Sequence, residues 1–75
     1  MSWNYRIVRQ NTKYDDCFSF GIHEAYYRPD GKLVSLTENP ISLNESTIDG
    51  LKQTISMVQD CLNKPIVDYV TFEEV

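Results

Sequence analysis

His23 and Glu24 are the neighbouring residues in this sequence best suited to acid–base chemistry. A histidine beside a carboxylate can transfer protons, because imidazole titrates in the physiological range. The pair lies in a stretch with strand-like alternation, where neighbouring side chains point to opposite faces of a sheet. The two groups therefore cannot act together on one substrate, and the chain has no other histidine. We expect no catalytic residues and predict that the protein is not an enzyme.

Cys17 and Cys61 are the two cysteines of the chain. Two cysteines are too few for a disulfide framework, and their spacing matches no zinc-binding pattern. A free cysteine is most often a small buried hydrophobic residue. We therefore expect no metal and no cofactor. The start of the chain resembles no signal peptide and no apolar run approaches the roughly 18 residues of a membrane helix, so we expect a cytoplasmic protein without membrane contact.

The charge of the chain disfavours nucleic-acid binding. Seven basic residues stand against eleven acidic ones, for a net charge of −4, whereas nucleic-acid-binding domains usually have an excess of lysine and arginine. The alternative is a sheet on which Arg6, Arg9 and Arg28 alternate with aromatic residues, as in sheets that stack RNA bases. The competing interpretation of the aromatic residues is that a small core needs large side chains to fill it.

The longest periodic segment predicts an amphipathic helix over 46–63. Ser46 is a suitable N-cap, and Asp49 three residues later completes a capping-box pattern. Apolar residues follow at spacings of three and four, which places them in one stripe: Ile48, Leu51, Ile55, Val58 and Leu62. Lys64 and Pro65 mark the end of the helix. We expect this stripe to pack on a sheet.

The side of the helix opposite that stripe is uncharged, where a solvated face is normally charged. It consists of Gly50, Thr54, Met57 and Cys61. Small residues with a flexible methionine permit the close approach of another protein surface. We predict a partner-binding surface here. One alternative is that this face is merely exposed to solvent, and another, for Cys61 alone, is that this residue lies at the edge of the core. His23 and Tyr27 on the sheet form a second candidate surface.

The remaining pattern predicts a single α+β domain over 1–75. Strands are expected at about 3–9, 17–27, 32–37 and 66–72, with a turn at 28–31 that contains proline, aspartate and glycine. Three strands form an antiparallel meander, the helix packs on one face, and a short fourth strand returns parallel to the first. We expect Phe18 and Phe20 to face the core, and His23 with Ala25 to face solvent. On folding, a chain of 75 residues buries only about 60% of the surface that its unfolded chain exposes, so we expect a marginal core.

Several short segments resemble a family of short uncharacterised bacterial proteins that are also encountered around phages. These segments contain Trp3-Asn4-Tyr5-Arg6, His23-Glu24-Ala25-Tyr26-Tyr27, Asp30-Gly31, Thr37-Glu38-Asn39-Pro40 and Lys64-Pro65-Ile66-Val67-Asp68-Tyr69. That family implies no activity. In layout, three strands followed by a capped helix are also similar to the HicB-type antitoxin fold, although the glycine-rich segment before the helix is absent.

These features together favour a small non-catalytic module that binds a protein or a second copy of itself. A regulatory role, such as that of a phage-type inhibitor or an antitoxin-like protein, fits this class. The alternative is the nucleic-acid-binding module described above. Sequence alone does not identify the partner, because fold and layout do not determine function.

Overall fold

The computed structural model describes residues 2–11 and 17–75 and has an α+β fold. Within those residues, four strands form one mixed sheet and one α-helix follows the third strand. The elements are β1 (Ser2–Asn11), β2 (Phe18–Tyr27), β3 (Leu33–Leu36), α1 (Ile48–Asp60) and β4 (Val67–Asp68). The strands lie in the order β3-β2-β1-β4. The α+β class and the sequence of elements agree with the prediction.

The antiparallel pair β1–β2 forms the centre of the sheet. Its register runs from Ser2 opposite Tyr27 to Asn11 opposite Phe18. Aromatic and β-branched residues favour both strands, and β1 extends two residues beyond the predicted end at position 9. Most of the predicted connection at 10–16 lies outside the described residues.

The tight turn between β2 and β3 has the predicted chemistry. Gly31 adopts a positive φ of 87°, a conformation that costs glycine little because it lacks a Cβ. The Gly31 N–H donates to the carbonyl of Arg28 over 2.8 Å, and the Arg28 N–H donates to the carbonyl of Lys32 over 2.9 Å. The Asp30 carboxylate accepts a further hydrogen bond from the Lys32 N–H. These local bonds set the register with which β3 joins the sheet.

Helix α1 begins one residue later than its predicted cap implies. Thr47, not Ser46, is the N-cap: its backbone is extended, and its hydroxyl accepts a hydrogen bond from the Gly50 N–H at 2.9 Å. The helix continues as a 3₁₀ turn over Cys61–Asn63, so the helical segment ends where predicted. No helix among the described residues is both long and apolar enough to cross a membrane.

Strand β4 runs parallel to β1, as predicted, but is much shorter than 66–72. Val67 pairs with Val8 and Asp68 pairs with Arg9. The Asp68 carboxylate then accepts hydrogen bonds from the backbone N–H groups two and three residues later, at 2.9 and 3.0 Å. An aspartate that binds its own backbone in this way turns the chain. The strand therefore ends at Asp68.

The buried core is small and lies on an unexpected face of the sheet. Its fully buried apolar residues in the described part of the chain are Val8, Ala25, Cys61 and Val67. Arg6 and His23 are also buried, and they sit opposite each other in the β1–β2 register. The even positions of β1 and the odd positions of β2 from 19 to 27 therefore share one face, and this face contains the buried residues of both strands.

The prediction that Phe18 and Phe20 face the core is wrong. Phe18 is 47% exposed and Phe20 is 58% exposed, whereas His23 and Ala25, which were expected in solvent, are buried. The alternation itself was predicted correctly. Periodicity identifies which residues share a face, but it does not identify the face that other segments cover.

Candidate functional site

Three large apolar side chains form an exposed row along α1 and the 3₁₀ turn. Ile48 is 72% exposed, Ile55 is 38% exposed and Leu62 is 66% exposed. Each lies seven positions after the previous one, which returns it to the same side of the helix after two turns. We call these three residues the ridge.

An apolar groove of about 260 Å³ opens beside the helix. We call it the groove, and its lining residues are Phe20, Gly21, Ile22, Pro40, Ile41, Leu43 and Val58. None of these side chains is charged. Val58 follows Ile55 by three positions and precedes Leu62 by four, so ridge and groove share one side of the helix.

The close approach of two segments builds one wall of the groove. The Ile41 N–H donates to the carbonyl of Ile22 over 2.8 Å, which extends the chain after β3 alongside β2. A Cβ added to Gly21 would lie only 2.9 Å from the Cβ of Pro40. Glycine at position 21 therefore permits the contact. The loop that follows presents Leu43, which is 56% exposed, at the rim of the groove.

The predicted partner-binding face of the helix is mostly turned inward. Gly50 and Thr54 are half-buried and Cys61 is only 1% exposed; Met57 alone of the four is exposed. The expectation that this face points to solvent is therefore wrong: the helical segment approaches β1, Gly50 lies against Glu45 and Thr47, and the Thr54 hydroxyl donates to Glu45. Burial raises the pKa of the Cys61 thiol.

The expected packing stripe divides into two parts. Leu51 and Val58 are half-buried, whereas the three ridge residues are exposed. The observed helix is rotated about its own axis relative to the predicted orientation. Because both sides of the helix are uncharged, the charge pattern of the sequence did not indicate which side packs on the sheet.

His23 is also not on an open surface. It is 2% exposed, its Nδ1–H donates to the carbonyl of Thr37 over 2.9 Å, and its ring lies 5.9 Å from that of Tyr69. The expectation that it faces solvent is wrong, because Thr37 and Tyr69 pack against this face of β2. A buried imidazole bonded to a backbone carbonyl is a structural element of the core.

Tyr27 belongs to a hydrogen-bonded cluster between the strands. Its hydroxyl accepts from the guanidinium of Arg6 over 3.0 Å and donates to the side-chain oxygen of Asn4 over 2.8 Å. The residue is half-buried and its hydroxyl is bonded within the protein, so it does not form an open candidate surface with His23. Its hydroxyl group orients Arg6 instead.

Arg6 is occupied by contacts within the protein. It is 7% exposed, donates to the carbonyl of Pro65 over 2.7 Å, and lies 3.5 Å from a carboxylate oxygen of Glu74. Both terminal nitrogens of this guanidinium are engaged by protein atoms, one by the Tyr27 hydroxyl and the other by Pro65 and Glu74. It is not available for a phosphate backbone.

The other two predicted nucleic-acid contacts are likewise paired with carboxylates. Arg9 donates to Asp68 over 3.0 Å and its guanidinium carbon lies 4.6 Å from the ring centre of Phe18. Arg28 donates to Asp30 over 2.6 Å. The structure does not bring the three arginines together into one positive surface.

A second, polar hollow of about 300 Å³ lies at the end of the chain, between Arg9 and the last residues. Its central carboxylate, Asp68, is already bonded: hydrogen bonds from the Thr71 N–H, followed by the guanidinium of Arg9, hold its pKa below the ordinary value of 3.8. Over residues 2–11 and 17–75, no three histidine, cysteine, aspartate or glutamate side chains are grouped to bind a metal ion.

Two features of the sequence could have indicated the exposed apolar surface, although periodicity alone did not show that these residues face solvent. Leu43 is a single large apolar residue among polar neighbours in a loop. Ile48, Ile55 and Leu62 repeat at seven residues, a spacing that equally suits packing within a chain and packing between chains.

No protein-family model, no curated protein and no solved structure matches this chain. The resemblances to short bacterial and phage proteins and to the HicB-type antitoxin layout stay predictions from the sequence. Any inference about function therefore comes from the residues of the ridge and the groove.

Proposed function

We propose that the protein is a non-catalytic binding module that recognises another protein through the ridge and the groove. The observation that carries this proposal is the exposure of Ile48, Ile55 and Leu62 directly beside an uncharged groove. Single apolar residues are common on protein surfaces, but contiguous ones mark binding surfaces. Together, these side chains expose on the order of 500 Å² of apolar surface, as large as the largest patch on a typical monomer.

The arrangement also has the composition of a protein interface. The centre is apolar and aromatic, with Phe20 and Leu43 at the groove, while Lys52 and Gln59 border the ridge on the helix. An apolar centre with a polar rim is the usual anatomy of such surfaces. Burying one large aliphatic or aromatic side chain contributes about 1.5–3 kcal/mol, so several of them together offset much of the entropy cost of association.

Nucleic-acid binding is the weaker alternative. It needs cations that are free to neutralise phosphates, and Arg6, Arg9 and Arg28 each pair with a carboxylate. Titration of the protein with single-stranded RNA at low salt tests this alternative. Binding that weakens as salt is added would favour it over the protein-binding proposal.

Site-specific photo-crosslinking tests the protein-binding proposal. A photoreactive amino acid replaces Ile55 in the ridge, and a matched variant carries it at Val70, which is apolar and 77% exposed but lies outside the ridge and the groove. We expect discrete protein adducts in cells of the source organism at position 55 and none above background at position 70. Equal labelling at both positions, or none at either, contradicts the proposal.

A further inference from the structure

We infer that the partner of this surface is a second copy of the chain. The two copies form a two-fold homodimer in which the ridge of each copy packs against the ridge and the groove of the other copy. This inference rests on the proposed function and adds the identity of the partner. Four features of the structure lead to it: spacing, shape, charge and the size of the core.

The spacing of the helix matches that of two helices packed together. Ile48, Leu51, Ile55, Val58 and Leu62 alternate at three and four residues, the repeat found along the seam of paired helices. In the structure, Leu51 and Val58 are half-buried within the molecule, while the ridge is exposed. Leu51 and Val58 of this repeat thus pack within the molecule, and the three ridge residues face outward.

The surface contains both a projection and a recess. A two-fold interface uses one patch twice, so the patch has to be complementary to itself. Here the ridge projects beside Val58, which is also a wall of the groove. A volume of about 150 Å³ is enough to hold benzene, so a groove of about 260 Å³ accommodates a branched aliphatic side chain. With antiparallel helices, Ile55 meets Ile55 of the second copy and Ile48 approaches its Leu62.

The charges of the helix are compatible with self-association. The chain carries a net charge of −4, so two copies repel unless their acidic residues are kept apart. Asp49 and Asp60 lie about 100–120° around the helix from Ile48. Lys52 is the charged residue closest to the ridge on the helix. The side of the helix that meets the second copy therefore carries no acidic residue.

The small core gives self-association an energetic advantage. In the part of the chain that the structure describes, the fully buried apolar residues are Val8, Ala25, Cys61 and Val67, and one of them is only an alanine. Chains of this size commonly need a partner subunit to bury enough apolar surface. The ridge and groove offer on the order of 500 Å² per copy, below the roughly 800 Å² of a standard interface. We therefore expect dissociation in the micromolar range.

Analytical ultracentrifugation of the purified protein from about 1 to 300 μM tests the dimer. The wild-type mass is expected to rise from 8.7 kDa toward twice that value, and the melting temperature is expected to rise with concentration. Ile55→Lys is expected to remain folded by circular dichroism and to have a dimer dissociation constant raised at least about tenfold, so that it is monomeric at concentrations where the wild type dimerises. Val70→Lys, the matched control, is expected to dimerise like the wild type.

Opposite charges test the geometry directly. Ile55→Lys and Ile55→Glu are each expected to be monomeric alone and to form a dimer when mixed, because the two-fold axis places position 55 against itself. If Ile55→Lys fails to fold, the more exposed Ile48→Lys is mixed with Leu62→Glu. A wild type that stays at 8.7 kDa at every concentration overturns the inference, as does a dimer that persists in these single variants.

The two proposals fail in different ways. A monomeric wild type whose residue 55 still crosslinks to a different protein in cells overturns the homodimer but retains the binding function. A monomer without any adduct at position 55 overturns both.

Discussion

The guanidinium of Arg6 donates a hydrogen bond to the hydroxyl of Tyr27 over 3.0 Å. That hydroxyl donates in turn to Asn4, so one tyrosine oxygen connects two polar side chains of β1 from the neighbouring strand. Because Arg6 is buried, the loss of this acceptor leaves a charged donor without its partner.

Removal of the Tyr27 hydroxyl is expected to destabilise the fold. Tyr27→Phe deletes both hydrogen bonds and is expected to lower the free energy of unfolding by about 1–3 kcal/mol, measured by urea denaturation. Tyr26→Phe is the matched control, since the Tyr26 hydroxyl donates to nearby Glu24 on the more open face and not to the Arg6 cluster. Equal losses in the two variants contradict a special role for the Arg6 cluster.

Stability is expected to fall in acid because of two aspartates. Hydrogen bonds from Thr71 and Arg9 lower the pKa of Asp68, and Arg28 lowers the pKa of Asp30. A carboxyl group whose pKa is lower in the folded state stabilises that state above its ordinary pKa near 3.8. This contribution is lost as the pH falls through the folded-state value.

The measurement is the urea midpoint as a function of pH, from about 6 down to about 2. Asp68→Asn is expected to reduce the loss of stability on acidification, and Asp68→Asn combined with Asp30→Asn is expected to reduce it further. A double variant with the full wild-type pH dependence contradicts the assignment of the loss to these two groups.

The two thiols are expected to react at very different rates. Cys61 is 1% exposed and burial raises its pKa, so it presents little thiolate to a reagent, whereas Cys17 is exposed. In Cys17→Ser, Ellman's reagent is expected to label Cys61 only when the structure opens. An opening free energy of about 3 kcal/mol slows labelling by roughly 100-fold.

The reciprocal variant provides the control. Cys61→Ser retains the exposed Cys17 and is expected to be labelled much faster than Cys61 in native Cys17→Ser. Rapid labelling of Cys61 in native Cys17→Ser shows instead that this side of the helical segment is open, as the sequence first suggested.

Local chemistry made the turn and the strand order predictable from sequence. Gly31 and Asp30 form their bonds within a few residues, so their identities alone predict the hairpin. The parallel placement of Val67 beside Val8 follows from the count of strands and the single helix. The short extent of β4 could not be predicted, because it depends on a turn that one side chain, Asp68, forms with its own backbone.

The faces of the sheet and the helix were not predictable in the same way. Phe20 and Ala25 occupy opposite sides of β2, and burial of the smaller residue depends on which side later segments cover. On the helix, Ile55 and Thr54 are adjacent, and a modest rotation exchanges their environments. The candidate site depends on this choice, so its residues became apparent only from the three-dimensional arrangement.

The bonds from β1 to the end of the chain have a consequence for synthesis. Arg6 bonds to Pro65 and Arg9 bonds to Asp68, and each pair is separated by 59 positions. A nascent chain on the ribosome exposes both guanidinium groups long before these acceptors are translated. The sheet is therefore complete only after residues 65–68 have left the ribosome, and until then β1 lacks the strand that pairs with Val8 and Arg9.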